Sequence, residues 1–283
     1  MICAEAIPYI SQLFPLPDLV VERLSDELAA AEIEWHEPYA EYATAGLKVA
    51  VLLSPDGDEG NFSWGDCPAP QVTPLLRRLP RTRRFIDDLR LRVMASRLLR
   101  LEPGAFLHEH RDYVHLEDVP RYRLHLPLLT NPGARIVLPG FAVHMKREFL
   151  WKLNPKAVIH SACNSGATPR IHLMLDCYLN AELSRLISSE FLEDDSVRSL
   201  PCLTGKQRAD LIYKARLALG AGQLSDAEEM LLKTFVNYDL KEESTFDLLL
   251  DLFAGEPEYK DRCQYWVRRY EEVYPERACS VAV

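Results

Sequence analysis

The chain has 283 residues, 48% hydrophobic and 27% charged, with 33 basic against 42 acidic side chains and a formal net charge of −9. This is the composition of an ordinary globular protein, and its acidic balance argues against non-specific binding of nucleic acid. The seven cysteines are scattered and form no CxxC pair, so neither a disulfide framework nor a thiolate zinc site is expected.

The N-terminal stretch "MICAEAIPYISQLFPLPDL" lacks the basic start and unbroken apolar run of a signal peptide. No apolar run reaches the roughly 18–20 residues that span a bilayer, so a cytoplasmic protein without a membrane partner is expected. Leu19, Val20, Leu24, Leu28 and Ala31 recur at helical spacing, which predicts a helix over 17–33 with Pro17 in its first turn. Residues 45–53 read as a strand, "SPDGDEGNFSWGDCPAP" as a long turn-rich loop, and 81–91 as a short helix. The basic run "LLRRLPRTRRF" at 75–85 has no interleaved aromatics for base stacking and reads as a solvated loop and helix start.

From 92 to about 180 the texture becomes short runs of β-formers separated by Pro, Gly and Asn, as in "RVMASRLLRL", "YRLHLPLL", "ARIVLP", "EFLWKL" and "RIHLMLDCYL". Several short strands at close spacing point to a sandwich or barrel-like fold. From about 182 the pattern is helical, with Ser225 or Asp226 and Ser244 as expected N-caps. One stretch there, "ARLALGAGQLSDAEEMLLKTF", has the rhythm of a single tetratricopeptide-like hairpin. One such unit cannot bury its own face, so it is expected to pack on the β-rich part. The division predicted is therefore 1–181 for the β-rich domain and 182–283 for a helical C-terminal region.

Candidate chemistry concentrates at "FLHEHRDY". Two histidines and one carboxylate on one face suit a metal such as Fe(II) and leave coordination positions open. His110 and Asp112, two residues apart, share a face if the segment is extended. His160 lies 50 residues on, after several predicted strands, and Arg170 follows ten residues later. An arginine fork on a neighbouring strand is a natural partner for a carboxylate. Alone, each of these residues has an ordinary structural explanation; together they form a composite signal for binding a metal and a 2-oxo acid.

At "HRDYVHLEDVPRYRLHLPLLTN" and "VIHSACNSGATPRIHLMLD" the chain resembles the aspartyl/asparaginyl β-hydroxylase family of Fe(II)/2-oxoglutarate dioxygenases, in the bacterial branch that includes the free L-proline cis-4-hydroxylase. The resemblance is specific over about 92–180 and extends more loosely back to about 35. It implies an α+β chain: a double-stranded β-helix (jelly-roll, cupin-like) core with N-terminal helices and a C-terminal helical region. It also implies His110, Asp112 and His160 as iron ligands, Arg170 on the distal carboxylate of 2-oxoglutarate, and Arg123 and His125 near the metal-proximal carboxylate. His172, His108, Arg97 and Arg100 are further candidates for supporting or substrate-facing positions. Fe(II), 2-oxoglutarate and O2 are the implied cofactor and co-substrates, with succinate and CO2 as co-products. Animal members of the family carry Gly in place of the carboxylate ligand, and halogenases of related families also lose it. Asp112 is present here, so hydroxylation is favoured over halogenation.

Three functions stay open on the sequence. One is hydroxylation of a free amino acid or a small derivative. A second is the same chemistry, or desaturation or cyclisation, on a peptide or carrier-tethered aminoacyl group docked on the C-terminal helices. The third is a non-catalytic interaction protein. Oligomeric state, including a homodimer, is left open as well.

Overall fold

The computed structural model describes residues 2–39, 41–43 and 45–277. Eleven strands lie among them: β1 Ile10–Pro15, β2 Leu47–Ser54, β3 Gln71–Val72, β4 Arg92–Leu101, β5 Arg121–Leu129, β6 Ala134–Leu138, β7 Phe141–Val143, β8 Phe149–Leu153, β9 Ser161–Asn164, β10 Arg170–Tyr178 and β11 Val197–Ser199. The α-helices are α1 Ile2–Ala6, α2 Asp18–Ala30, α3 Pro74–Arg78, α4 Pro80–Asp88, α5 Ala181–Ile187, α6 Gly205–Gly220, α7 Leu224–Leu232, α8 Thr234–Asn237, α9 Thr245–Phe253 and α10 Lys260–Val273.

A seven-stranded sheet has the order β1-β8-β5-β10-β4-β2-β3, and a four-stranded sheet the order β11-β7-β6-β9. Every strand pairing within them is antiparallel. Side chains alternate between the two faces of a strand, and β10 shows the consequence. Leu173, Leu175 and Cys177 join Leu98 and Leu124 in a core with Val21, Leu24 and Leu28 of α2 and Ile86 of α4. Arg170, His172, Met174 and Asp176 occupy the opposite face, in register with Leu101, Leu99, Arg97 and Ala95 of β4.

A second apolar cluster joins the two sheets through Ile10, Leu101, Ile136, Leu138, Trp151 and Leu153. A third packs the helical region on the other side of the small sheet. There Phe106, Val137, Ala142 and Ile159 join Leu231, Phe246, Leu249 and Trp266. Trp151 is thus a core residue, with its indole nitrogen donating to the Lys146 carbonyl.

Most predicted elements appear within a few residues of their expected bounds. The predicted 17–33 helix is α2, and its Pro17 sits at the N-cap. Ser244 caps α9 with a reciprocal bond to Asp247, but α7 starts earlier than expected, with Gln223 at its cap and neither Ser225 nor Asp226 in that position. β1 was missed, since prolines crowd both ends of a run that pairs with β8 across a bulge. The basic run at 75–85 spans two helices, α3 and α4, and buries Leu75, Leu76 and Leu79 while leaving the arginines exposed, with Arg83 and Arg84 pairing Asp87 and Asp88 one turn on. Cys67, Cys163, Cys177, Cys202 and Cys263 are free thiols; Cys3 and Cys279 lie outside the described side chains. Among the described residues no helix is long and apolar enough to cross a membrane.

Two local features hold the site-bearing segments in place. The turn before β6 passes against the turn that leads into β10. A β-carbon at Gly133 would collide with the Gly166 amide nitrogen and stand 2.8 Å from the Ser165 carbonyl carbon. Backbone cannot yield as a flexible side chain does, so Gly133→Ala is expected to cost about 1–3 kcal/mol. Urea unfolding would check this; a midpoint equal to wild type would show that the turn has slack.

The other feature is Glu109, fully buried beside His110. Its Oε1 accepts from the Thr245 amide (2.7 Å) and hydroxyl (2.6 Å) at the start of α9, and its Oε2 from the Tyr274 hydroxyl (3.0 Å) just after α10. Burial pushes this carboxyl up to about 7, with the bonds from Thr245 and Tyr274 pulling the other way. Glu109→Ala would strand three buried donors. The expected loss is about 2–4 kcal/mol, seen as a Tm drop of roughly 5–10 °C.

Candidate metal and co-substrate site

His110 and His160 face each other across a short antiparallel bridge. Each backbone amide donates to the other's carbonyl at 2.9 Å. The 49 residues between them are thereby closed into one loop, with imidazole centres 4.3 Å apart. His110 Nδ1 lies 2.7 Å from the His108 carbonyl, and His160 Nδ1 lies 3.2 Å from the Val158 carbonyl. A proton on each Nδ1 satisfies those carbonyls and leaves both Nε2 lone pairs free, the tautomer that binds a metal. His160 Nε2 lies 3.5 Å from Asp112 Oδ2. One ligand atom from each of His110, Asp112 and His160 falls within 4.8 Å of the others, the one such cluster found among the described residues.

Asp112 does not lie free. Its Oδ2 accepts from Arg123 Nη1 at 2.6 Å, while Arg123 Nε donates to Asp176 Oδ1 at 2.8 Å. Tyr113 gives its hydroxyl to the same Asp176 oxygen in a short bond. Tyr113 takes a left-handed backbone, φ +62°, an uncommon state for a bulky residue that this buried bond helps hold. Burial opposes charge on Asp112, but Arg123 and then His160 outweigh it and hold the carboxyl well below the usual range. Burial, reinforced by His160, lowers His110 to about 3, so its imidazole is neutral and ready to donate a lone pair.

Arg170 opens β10 and reaches the same cavity, of about 200 Å³. It is 3% exposed, and its Nε and Nη1 hydrogens have no partner. Burial lowers it to about 10, so it still carries its charge at neutral pH. A buried guanidinium with idle donors is costly unless an anion meets it. His125 also lines the cavity with an unpartnered Nδ1, and His172 packs edge-on against it at 5.5 Å with both ring nitrogens unpartnered. Burial first, then the Arg170 charge, keeps both imidazoles neutral, each held well below the usual histidine range. These orphaned donors fit a dicarboxylate reaching from the His-Asp-His cluster to Arg170.

The other sequence candidates separate. Arg97 lies on the inner face, 1% exposed, its guanidinium carbon 3.5 Å from the centre of the Trp64 ring and its Nε and Nη1 unpartnered. Arg100 points the opposite way and is bound to Glu102 at 2.9 Å, outside this group. His108 turns toward the helical region, its ring 6.1 Å from Trp266, and burial lowers it to about 4. His115, in contrast, lines the cavity.

Sequence reasoning missed the aromatic wall of Tyr39, Tyr42 and Trp64, and also Arg269, Glu272 and Val273 of α10, all lining the cavity. It also missed Asp176 as the partner of Arg123. Strand parity could have found Asp176, since it stands six residues after Arg170 and therefore on the same face.

The family model for aspartyl/asparaginyl beta-hydroxylases matches residues 27–179, over half of the chain, and the chain belongs to that family. A stretch of 159 residues is 30% identical to an L-proline cis-4-hydroxylase of Rhizobium meliloti (strain 1021), covering 54% of this chain and 56% of that protein. The chain thus spans about half the length of the curated relative it matches. Among solved structures, a Pseudomonas putida prolyl-4-hydroxylase matches with TM-score 0.41 and 15% identity, over 63% of this chain and 97% of that one. A 2OG-Fe(II) oxygenase family oxidoreductase from Burkholderia pseudomallei matches with TM-score 0.39 and 15% identity, over 54% and 76%.

Proposed function

We propose that the chain is a non-haem Fe(II)/2-oxoglutarate-dependent dioxygenase. It hydroxylates an unactivated C–H bond of a free amino acid or small amino-acid derivative, with succinate and CO2 as co-products. The observation that carries this reading is one cavity lined both by the His110, Asp112 and His160 cluster and by Arg170, a buried cation with idle donors. The proline hydroxylase relative supports the substrate class.

His110, Asp112 and His160 would hold iron, and Arg170 the distal carboxylate of 2-oxoglutarate, with Arg123 and His125 near its metal-proximal end. When bound, iron and the oxo acid together supply the activation of O2 for C–H oxidation. The rest is the work of the side chains. Arg123 fixes Asp112 through its bond to Oδ2, and the backbone carbonyls of His108 and Val158 fix the two imidazoles. Tyr39, Tyr42 and Trp64 narrow the access of water, and Arg97 supports this wall from behind Trp64, its Nη2 held by the Phe62 and Ser63 carbonyls. Asp112 keeps the third protein ligand in place, which favours hydroxylation over halogenation.

In this reading residues 1–181 form the dioxygenase domain, with a double-stranded β-helix core, and 182–283 a helical region packing on it, in a cytoplasmic protein. Two facing antiparallel sheets support that core. A second reading, the same chemistry on a carrier-tethered or peptide substrate, draws on Tyr213 and Leu217, exposed one turn apart on α6. Anaerobic addition of Fe(II) and 2-oxoglutarate should give a weak visible charge-transfer band, and its absence would end the dioxygenase reading. Screening the twenty amino acids for succinate release matched to the gain of one oxygen then separates the two substrate classes.

A further inference from the structure

The family match ends at residue 179, yet α10 supplies one wall of the cavity through Arg269, Glu272 and Val273. Arg269 is only 8% exposed. Its guanidinium carbon lies 4.3 Å from the centre of the Tyr42 ring, and that ring lies 6.4 Å from the His110 imidazole. Its Nη1 donates to Glu272 at 2.5 Å. The end of α10 is held beside the cluster by Tyr274 on Glu109 and by Glu276 on Arg111. A buried cation and a half-exposed anion thus lie side by side at the cavity wall, one aromatic ring away from a metal-ligand candidate.

The other cations in the cavity have partners or roles already. Arg123 is bound to Asp112 and Asp176, and Arg111 to Glu276, while Arg170 faces the oxo-acid end. A ligand with adjacent positive and negative groups matches the Arg269 and Glu272 pair and can exchange each internal contact for one of its own. A planar guanidinium takes a carboxylate through two parallel bonds, which gives direction as well as strength. The cavity, at about 200 Å³, is smaller than the roughly 300–1,000 Å³ of drug-sized sites and suits a small metabolite.

We propose that Arg269 and Glu272 select a zwitterion: Arg269 binds the α-carboxylate and Glu272 the α-ammonium of a free amino acid, whose side chain extends past Tyr42 toward the metal cluster. This deepens the dioxygenase reading and rests on it for the reaction, though not for the binding. A tethered aminoacyl group, lacking the free carboxylate, gains nothing from Arg269.

The test is calorimetric binding of the twenty proteinogenic amino acids to the full chain, with and without Mn(II) and 2-oxoglutarate. The amino acid that binds most tightly is then compared with its methyl ester and its N-acetyl derivative. Wild type is expected to prefer the free acid to the ester by about 10- to 100-fold, the scale of a hydrogen bond to a charged group. Arg269→Gln should bring that ratio close to one while metal and 2-oxoglutarate binding stay unchanged. Glu272→Gln should do the same for the N-acetyl comparison. Should Arg269→Gln fold poorly, Arg269→Lys keeps the charge but not the fork and should show a reduced ratio.

Binding of no amino acid, or a preference for the free acid over the ester untouched by both Arg269 variants, overturns the proposal. Failure of metal and 2-oxoglutarate binding, with an Arg269-dependent preference retained, would sink the dioxygenase reading and leave this one standing.

Discussion

His160→Ala is expected to abolish the Fe(II)/2-oxoglutarate charge-transfer band and to lower metal affinity by more than about 100-fold, since the loss of even an outer partner of a metal ligand costs about 10- to 100-fold. The geometry makes the effect local. His160 keeps its backbone pairing with His110 whatever its side chain, because both bridging bonds are main-chain bonds. The variant should therefore fold, and circular dichroism and Tm near wild type would show that it has. His160→Gln tests the same point with a side chain of similar reach but poorer donor strength. A wild-type metal affinity in His160→Ala would remove this residue from the ligand set and with it the facial arrangement.

Arg170→Gln is the second large effect. Its idle Nε and Nη1 are buried at the wall of the cavity that the metal cluster also lines, and Arg170 is not part of that cluster, so removing the guanidinium should leave metal binding intact and take away the site for a distal carboxylate. Two charge-assisted bonds at about 1.5–3 kcal/mol each predict a loss of roughly 100-fold or more in 2-oxoglutarate affinity. Arg170→Lys should recover little of it, because a point charge cannot reproduce the fork. Calorimetry with 2-oxoglutarate against pyruvate would sharpen the result. Pyruvate lacks the distal carboxylate, so its binding should be indifferent to the substitution. Equal losses for both would mean that Arg170 acts on the fold and not on the co-substrate.

Much of this site was legible in the sequence because period-two geometry does the sorting. His110 and Asp112 sit two apart, as do Arg123 and His125, and Arg170 and His172; each pair ends on one side of its segment. The same parity separates Arg97 from Arg100, three apart on β4, and explains why one is buried against Trp64 while the other pairs with Glu102 near solvent. His108 shares the parity of His110 but leads into the segment from the helical side, where Phe106 and Trp266 receive it.

What stayed hidden has no local pattern. Tyr39, Tyr42 and Trp64 come from loops whose course is set by tertiary contacts, such as the bond from Tyr39 to the Phe62 carbonyl. Arg269 and Glu272 read as an ordinary helical ion pair, and only the packing of α10 over the cavity gives them a further meaning. The missed strand β1 shows the converse, where partners on β8 override a proline-bounded sequence.

The alternation at 109 and 110 has a thermodynamic consequence. Glu109 faces the helical region and His110 faces the metal cluster, so one short segment belongs to two structures at once. Whatever orders one side must favour the other by the same free energy, because linkage is reciprocal. Filling the metal site should therefore slow amide hydrogen exchange in α9 and α10, far outside the ligand sphere, and a chelator should restore it. The helical region would then report on the state of the candidate metal site as well as wall its cavity.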